Sequence, residues 1–305
     1  MGIDVAPNQN ILYTANAISE TIVPFNLNRL TGDVTPTGTP VDAVVGGLIG
    51  VFVHPSGNFA YGQHFFGAIT SYLIAADGTI SANAASPPID QNGRFPRFTF
   101  NLNGDRLYAV DGDTGTITIF TINLTNGVLE YLPTLMNGVF PAGLGNASDS
   151  LLSRDGNFLY VSDREGNSIH TYAFDVEGSL VATTSVDTDP GPKFLALHPT
   201  LPALYCVNDA TTINAFTTGA GGVLAPLGAS IPTVTGVRQI LVDPSGDFLF
   251  AYEAAGEIHV YAVGATGELS FLESYDFPNE LTFAVDAAIV PALAVEEPPV
   301  IEPLP

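Results

Sequence analysis

Positively charged residues and cysteine are scarce in this sequence. Only eight lysines and arginines stand against 31 aspartates and glutamates, which gives a formal net charge of −23 at pH 7. A surface so acidic repels nucleic acid and anionic membranes, so we expect neither as a partner. The single cysteine excludes a disulfide framework and a cysteine-based metal site. Cys206 lies in the apolar segment 203–207, where we expect a buried and unreactive thiol.

Long apolar runs and the usual cofactor motifs are also missing. No apolar run is long enough to cross a bilayer, and no basic segment followed by an apolar stretch opens the chain, so membrane insertion is not expected. The chain has no HExxH, CxxC or Gly-rich phosphate loop, so we predict neither a metal nor another cofactor. An extracellular or periplasmic location is favoured, with the cytoplasm as the alternative.

Six segments share one pattern, each centred on an aromatic residue in an apolar strand. The spacings between successive aromatic residues are 48, 47, 52, 45 and 45. A Pro/Asn-Gly turn precedes most of them, and an alternating strand and a further Gly turn follow. Four short strands in a period of this length predict an all-β fold, a β-propeller of four-stranded blades. The aromatic anchors are Tyr13, Tyr61, Tyr108, Tyr160, Tyr205 and Phe250.

A seventh copy of the pattern begins at Leu281 and stops after Glu296. We therefore expect seven blades with an irregular last blade, and the alternative is a six-bladed ring with a packed tail. Residues 1–296 are predicted to form a single propeller domain. The Pro-rich segment 297–305 is predicted to be a tail or linker.

The repeat resembles that of the lactonase-type, or YVTN-like, seven-bladed propellers. Residues 153–163 are similar to the family's "PDGKFLYVTN" core. Gly191-Pro192-Lys193 followed by 197–199 is similar to its "GPRH…FHP" element, and 237–246 to its late "PR…DPSG" element. The family includes bacterial 6-phosphogluconolactonase and fungal carboxymuconate cyclase, so the resemblance implies a propeller and a lactone as substrate.

At the positions that the resemblance assigns to catalysis, the sequence departs from the family. The segment 146–150 has no histidine where the family has an H-x-H element. Lys193 stands where the family has an arginine, and Asp209 where it has a glutamate, whereas Arg238 is retained.

Basic residues are concentrated in loops that a propeller places at one end. These loops enter the first strand of a blade or leave the second, and they contain Arg94, Arg97, Arg164, Lys193 and Arg238. In so acidic a chain they predict a positive funnel at the channel mouth that binds a small anion. The alternative is that they pair with acids of the same loops. Arg97, Arg164, Lys193 and Arg238 are the predicted ligand-binding residues, and the same end is expected to carry His64, Asp111, Asp113, Asp163, Asp209 and Glu253.

Two functions from different classes remain open on this sequence, and a purely structural spacer is a third alternative. The first is a non-catalytic binding or interaction module with a small-anion site at the channel mouth, with a protein as a further partner. The second is a hydrolase of a sugar lactone, similar to 6-phosphogluconolactonase. If the chain is an enzyme, the candidate bases are His64, Asp209 and Glu253.

Overall fold

The computed structural model describes residues 2–7, 10–28, 31, 33–90, 97–112, 115–132, 146–175, 178–253 and 256–276. These residues form six antiparallel sheets, each from a continuous stretch of chain. The helical part of these ranges is one 3₁₀ turn, Ala220–Gly222. No helix in the described ranges is long and apolar enough to span a membrane. The prediction of an all-β propeller is confirmed.

Each sheet is one blade, and its first strand lies innermost. In the first three blades the strands are β1 Gly2–Val5, β2 Ile11–Asn16, β3 Thr21–Leu27, β4 Val34–Pro36 and β5 Val41–Asp42; β6 Leu48–Val53, β7 Phe59–His64, β8 Ala68–Ile74, β9 Ile80–Ala82 and β10 Ile89–Asp90; β11 Arg97–Phe100, β12 Arg106–Val110, β13 Ile117–Ile122 and β14 Leu129–Tyr131. In the next three they are β15 Ala147–Leu152, β16 Phe158–Asp163, β17 Ser168–Phe174 and β18 Leu180–Asp187; β19 Pro192–Leu197, β20 Ala203–Asn208, β21 Thr212–Thr218, β22 Leu224–Pro226 and β23 Ile231–Pro232; β24 Val237–Val242, β25 Phe248–Glu253, β26 Glu257–Val263 and β27 Leu269–Asp276.

The outer position of three blades is filled by two short strands instead of one. In blades 1, 2 and 5 both short strands pair with the third strand of the sheet. Pro40 separates the two strands in blade 1, and Pro87 and Pro88 do so in blade 2, because proline has no N–H for the ladder. In blades 4 and 6 one long strand fills this position and absorbs the mismatch with a β-bulge.

The core lies between the faces of neighbouring blades. Tyr13 and Ile22 of blade 1 pack in one buried cluster with Val51 and Tyr72 of blade 2, and similar clusters join blade 2 to 3 and blade 5 to 6. Innermost strands also meet at the channel, where β15 contacts both β11 and β19. Burial between blades therefore stabilises the ring, as is typical of a repeat protein.

The six aromatic anchors occupy equivalent positions on the second strands, as predicted. Each of the five tyrosines is at most 1% exposed. Three of them tie one blade to the next through a hydroxyl group. Tyr13 donates to the Gly78 carbonyl at 2.7 Å, Tyr61 to that of Gly127 at 3.1 Å, and Tyr205 to that of Gly267 at 2.8 Å. The accepting glycines all have positive φ, in the Gly turns that the sequence predicts.

At two places a histidine joins the first hairpin of one blade to the first hairpin of the next blade. His54 Nδ1 accepts the Ser56 N–H at 3.1 Å, so Nε2 is the donor to the Gly104 carbonyl at 2.7 Å. His198 makes the equivalent bond to the Gly246 carbonyl of blade 6 at 2.9 Å. Both histidines are at most 3% exposed, which fits the structural role that the sequence predicts for them.

The part of the chain that the structure describes contains six blades. The predicted seventh copy, residues 281–296, lies outside the described residues, so the choice between six and seven blades stays open. The division into a domain of residues 1–296 and a tail of residues 297–305 also stays a prediction.

Candidate functional site

First strands begin, and second strands end, at the same end of the ring. This follows from antiparallel pairing, for example of Arg97 with Val110 and of Pro192 with Asn208. We call this end the rim; its described loops are 17–20, 43–47, 65–67, 111–112 with 115–116, 164–167, 188–191, 209–211 and 233–236. Asp111 lies there directly after β12 and is 5% exposed. Arg94 and Asp113, which the sequence also places there, lie outside the described residues. The other predicted site residues lie in these loops or at the ends of the strands that border them.

Four first strands carry a β-bulge where they leave the rim. The extra residue of each bulge interrupts the pairing with the second strand, and it is Ile49, Ser148, Lys193 or Arg238. A bulge re-aims one side chain without ending the strand. Two predicted ligand-binding cations, Lys193 and Arg238, thus occupy equivalent positions on the neighbouring strands β19 and β24, which contact one another.

The sequence contains a signal for these bulges that the repeat analysis missed. A glycine with positive φ stands two residues before the extra residue in three of the four strands. These glycines are Gly47 before Ile49, Gly191 before Lys193 and Gly236 before Arg238. The left-handed conformation is readily available only to glycine, so a Gly-x-cation spacing marks a cation displayed at the rim.

The Asp209 carboxylate forms ion pairs with two cations at the mouth of the channel. Arg164 Nε donates to one carboxylate oxygen at 2.5 Å, and Lys193 Nζ binds the other. The Asp209 N–H donates to the Gly191 carbonyl at 2.8 Å. A Cβ on Gly191 would lie 2.6 Å from the Asp209 Cβ, so only glycine permits this approach. Three predicted site residues from blades 4 and 5 therefore converge on one point.

The charge state of Asp209 follows from these contacts. Burial raises its pKa, but the Lys193 ammonium and the Arg164 guanidinium outweigh burial, and the pKa lies below its ordinary value. The carboxylate is therefore ionised at neutral pH. All three side chains remain partly open to solvent, with 33% exposure for Asp209, 44% for Arg164 and 26% for Lys193.

Arg238 differs from the other rim cations because it forms no ion pair with any described residue. Its side chain is exposed, and Val237 beside it pairs with the half-buried Glu253 at the end of β25. The Glu253 side chain passes 3.6 Å from where a Cβ of Gly236 would lie. Arg238 is thus an exposed cation that can bind an anion, and Glu253 ends the strand that pairs with its own.

Arg97 pairs with Asp149, a residue that the sequence analysis did not single out. Arg97 Nε lies 2.9 Å from Asp149 Oδ1, and Asp149 Oδ2 accepts the Leu195 N–H at 2.9 Å. One carboxylate therefore joins the first strands of blades 3, 4 and 5. Asp149 is 2% exposed, and an acid in an otherwise apolar first strand is the signal that could have marked it.

The same strand also supports the Lys193 bulge. The Asp149 N–H donates to Ser162 Oγ at 2.9 Å, and that hydroxyl donates to the Lys193 carbonyl at 3.0 Å. Ser162 is fully buried. Lys193 is therefore positioned by hydrogen bonds from blade 4 as well as by its own strand.

The side chains of His64 and Asp163 are buried beneath the rim and form hydrogen bonds with other residues of the protein. His64 is fully buried, with Nδ1 3.1 Å from the Gly46 carbonyl and Nε2 2.9 Å from Thr70 Oγ1. Burial lowers its pKa. Asp163 accepts the N–H groups of Asn146 and Gly166. These contacts favour structural roles for both residues, and neither side chain opens onto the mouth.

Comparison with known proteins shows what the ring resembles. A family model described as "Lactonase, 7-bladed beta-propeller" matches residues 7–141. Over these residues the chain resembles the lactonase-type propellers. The predicted resemblance is confirmed, although the matched residues end before Lys193, Asp209 and Arg238. No group of three or more His, Cys, Asp and Glu side chains that could hold a metal is found among the residues described.

Relatives of known description agree with this assignment. The chain is 24% identical over 284 residues to a 6-phosphogluconolactonase of Cronobacter sakazakii, covering 88% of this chain and 81% of the relative. It is 27% identical over 120 residues to a 6-phosphogluconolactonase of Pectobacterium carotovorum, which is 38% of this chain and about a third (36%) of that protein's length.

Two solved structures share the fold. A protein from Bacteroides fragilis superposes with a TM-score of 0.77 at 18% identity, over 90% of this chain and 83% of that one. The periplasmic gluconolactonase of Pseudomonas aeruginosa gives a TM-score of 0.74 at 16% identity, over 90% and 84%. At these identities the likeness establishes the propeller fold alone.

Proposed function

We propose that this propeller hydrolyses a sugar lactone at the rim, with Lys193, Asp209 and Arg238 around the reacting carbonyl. The observation that carries the proposal is that an ionised carboxylate and two displayed cations lie at the mouth on blades 5 and 6. Relatives described as 6-phosphogluconolactonases favour this hydrolase over a module that only binds.

The chemistry assigns one role to each group. The Asp209 carboxylate accepts a proton from a water molecule as the water oxygen bonds to the lactone carbonyl carbon. The negative charge that develops on the carbonyl oxygen is stabilised by Arg238 and Lys193. The ring C–O bond then breaks, and its oxygen takes the proton that Asp209 accepted, which gives the free hydroxyl group and returns Asp209 to its carboxylate form. The product is an open-chain hydroxy acid, which ionises at neutral pH.

The lowered pKa of Asp209 has two consequences for this reaction. The basic form is fully populated at neutral pH, so the rate should be flat there and fall only in acid. The same shift makes the carboxylate a weak base, so turnover should be modest.

Site variants test the proposal on glucono-δ-lactone and 6-phosphogluconolactone. Asp209→Asn should lower kcat by about 100-fold, in the range that a general base contributes. Lys193→Ala combined with Arg238→Ala should abolish turnover. The matched control is Arg154→Ala, which removes a cation whose guanidinium donates to the Pro199 carbonyl in a first hairpin. Wild-type turnover in Asp209→Asn would contradict the assignment of the base.

The alternative is a module that binds a small anion without turnover. It is favoured by the ion pairs that already engage Lys193 and Arg164 through Asp209. In that case gluconate should bind reversibly, with an affinity that falls as the salt concentration rises. Both lactones should then be hydrolysed no faster than in buffer.

A further inference from the structure

Apolar side chains are exposed on the rim loops of blades 1 and 2. Ile18 follows β2 and is 90% exposed, and Phe66 follows β7 and is 74% exposed. Val44 and Phe65 are 46% and 42% exposed. A single exposed apolar residue is ordinary, but four on adjoining loops mark a binding surface. We call Ile18, Val44, Phe65 and Phe66 the aromatic patch.

Contacts between the loops hold this patch in place. Glu20 Oε1 accepts the Gly47 N–H at 2.9 Å, and the Phe65 N–H donates to the Gly47 carbonyl at 2.8 Å. The two phenyl rings meet edge to face, with centroids 5.3 Å apart. Phe66 Cδ2 lies 3.8 Å from where a Cβ of Gly47 would stand. Phe66 therefore sits beside the residue that leads into β6, at the channel mouth.

The patch and the reactive groups lie on opposite sides of the mouth. Blades follow one another around a propeller in chain order, so blade 2 faces blades 5 and 6 across the channel in a ring of six or seven. Lys193 and Arg238 begin the first strands of those two blades. A ligand held by both sides must carry its carbonyl or carboxylate at one end and an apolar surface at the other.

The charge of the loops around the aromatic patch indicates what the apolar end of the ligand is. No lysine or arginine occurs in loops 17–20, 43–47 or 65–67, and the Glu20 carboxylate is exposed there. A phosphate group would be repelled by this carboxylate. A neutral sugar ring fits instead, because its C–H face packs on a phenyl ring while its hydroxyls donate to Glu20 and bond with the exposed Ser19 hydroxyl.

We infer that the aromatic patch binds a neutral sugar ring joined to the lactone. The substrate class is then the aldonolactone of a disaccharide or longer sugar, not a phosphorylated monosaccharide. The lactone end of this inference rests on the proposed function, whereas the sugar subsite is tested by binding alone.

The test compares gluconate with cellobionate, two carboxylates that differ by one glucose ring, by titration calorimetry. Wild type should bind cellobionate about five- to tenfold more tightly, as expected for burying part of one ring face. Phe66→Ala should remove this preference and leave gluconate binding unchanged, and Phe66→Trp should keep it. Leu124→Ala is the control: Leu124 is 53% exposed at the end of the ring opposite the rim, and its loss should leave the preference intact.

Three results would overturn the inference: equal affinities in wild type, equal weakening of both ligands by Phe66→Ala, or a dimer that Phe66→Ala dissociates while the preference persists. The last would assign the patch to an interface between copies. A cellobionate preference without turnover of any lactone would refute the proposed hydrolase and support the subsite. Turnover of glucono-δ-lactone together with equal affinities for gluconate and cellobionate would support the proposed hydrolase and refute the subsite.

Discussion

Arg97 Nε on blade 3 lies 2.9 Å from Asp149 Oδ1 on blade 4. The side chain of Asp149 is 3% exposed, and that of Arg97 is 27% exposed. Because the second oxygen of Asp149 accepts the Leu195 N–H of blade 5, this carboxylate is shared by three innermost strands. Removing it takes this acceptor away from the Arg97 guanidinium and from a buried N–H, which costs more than the pair itself contributes.

Asp149→Ala should therefore lower the free energy of unfolding by about 3–5 kcal/mol. Asp149→Asn keeps an oxygen that can accept the Leu195 N–H, so we expect a smaller loss. The control is Asp105→Ala, which breaks the partly exposed Arg106–Asp105 pair and should cost about 1 kcal/mol or less. Urea unfolding followed by circular dichroism measures all three. Equal losses for Asp149→Ala and Asp105→Ala would show that the pair does not join the blades.

The anchor hydroxyl groups that bond to the next blade should each contribute measurably to the free energy of unfolding. Tyr205→Phe keeps the buried ring but leaves the Gly267 carbonyl without its donor, so we expect a loss of about 1 kcal/mol. Tyr275→Phe removes an exposed hydroxyl that bonds only with the neighbouring Glu273 among the described residues, and stability should change by less than about 0.5 kcal/mol. Thermal unfolding of the two variants provides the comparison, and an unchanged Tyr205→Phe would argue against the tie between blades.

Buried histidines predict a loss of stability in mild acid. Burial is the main cause that lowers the pKa of His54, His64 and His170 below the ordinary value of a histidine side chain. Between the folded and unfolded pKa values the unfolded chain binds more protons, so stability is present above the unfolded pKa and is lost as pH falls through the folded one. Melting temperatures should fall between about pH 7 and pH 5.

His54→Gln tests this assignment, because glutamine does not titrate. The variant should show a shallower dependence of melting temperature on pH in that window, whatever its stability at neutral pH. A slope equal to that of wild type would exclude His54 as a contributor.

Cys206 provides a probe of global opening. It is fully buried, as the sequence predicts, and burial raises the pKa of its thiol far above the ordinary value. Only the thiolate attacks a disulfide reagent, so the native protein should react orders of magnitude more slowly than the protein in urea. Fast labelling of the native protein would mean that the blade 5 core opens without global unfolding.

The blade number can be decided by truncation. Deleting residues 281–305 should expose an unpaired blade edge and cause unfolding or aggregation if the sequence begins a seventh blade there. A truncated protein that melts as the full chain does would favour six blades and a dispensable tail.

Local features of the fold could be predicted from the sequence, and features that depend on several blades could not. The anchors and hairpins, such as Tyr160 and its turn at Gly156, are specified by neighbouring residues. The choice of ion-pair partners is different, because Asp209 receives cations from two blades and Asp149 joins three. Repeat spacing placed Lys193 and Arg164 on the rim, but it carried no information on which acid each would meet.

The bond from an anchor tyrosine to the glycine turn of the following blade has a direction. Tyr13, Tyr61 and Tyr205 each donate a hydrogen bond to the blade that follows along the chain. The acceptors are the carbonyls of Gly78 of blade 2, Gly127 of blade 3 and Gly267 of blade 6. Phe250, at the same position of the last described blade, has no hydroxyl to give. Blade 2 both receives such a bond, at Gly78, and supplies one, from Tyr61. A second copy of this repeat inserted beside it in evolution would therefore meet each of its neighbours through a bond of the same kind.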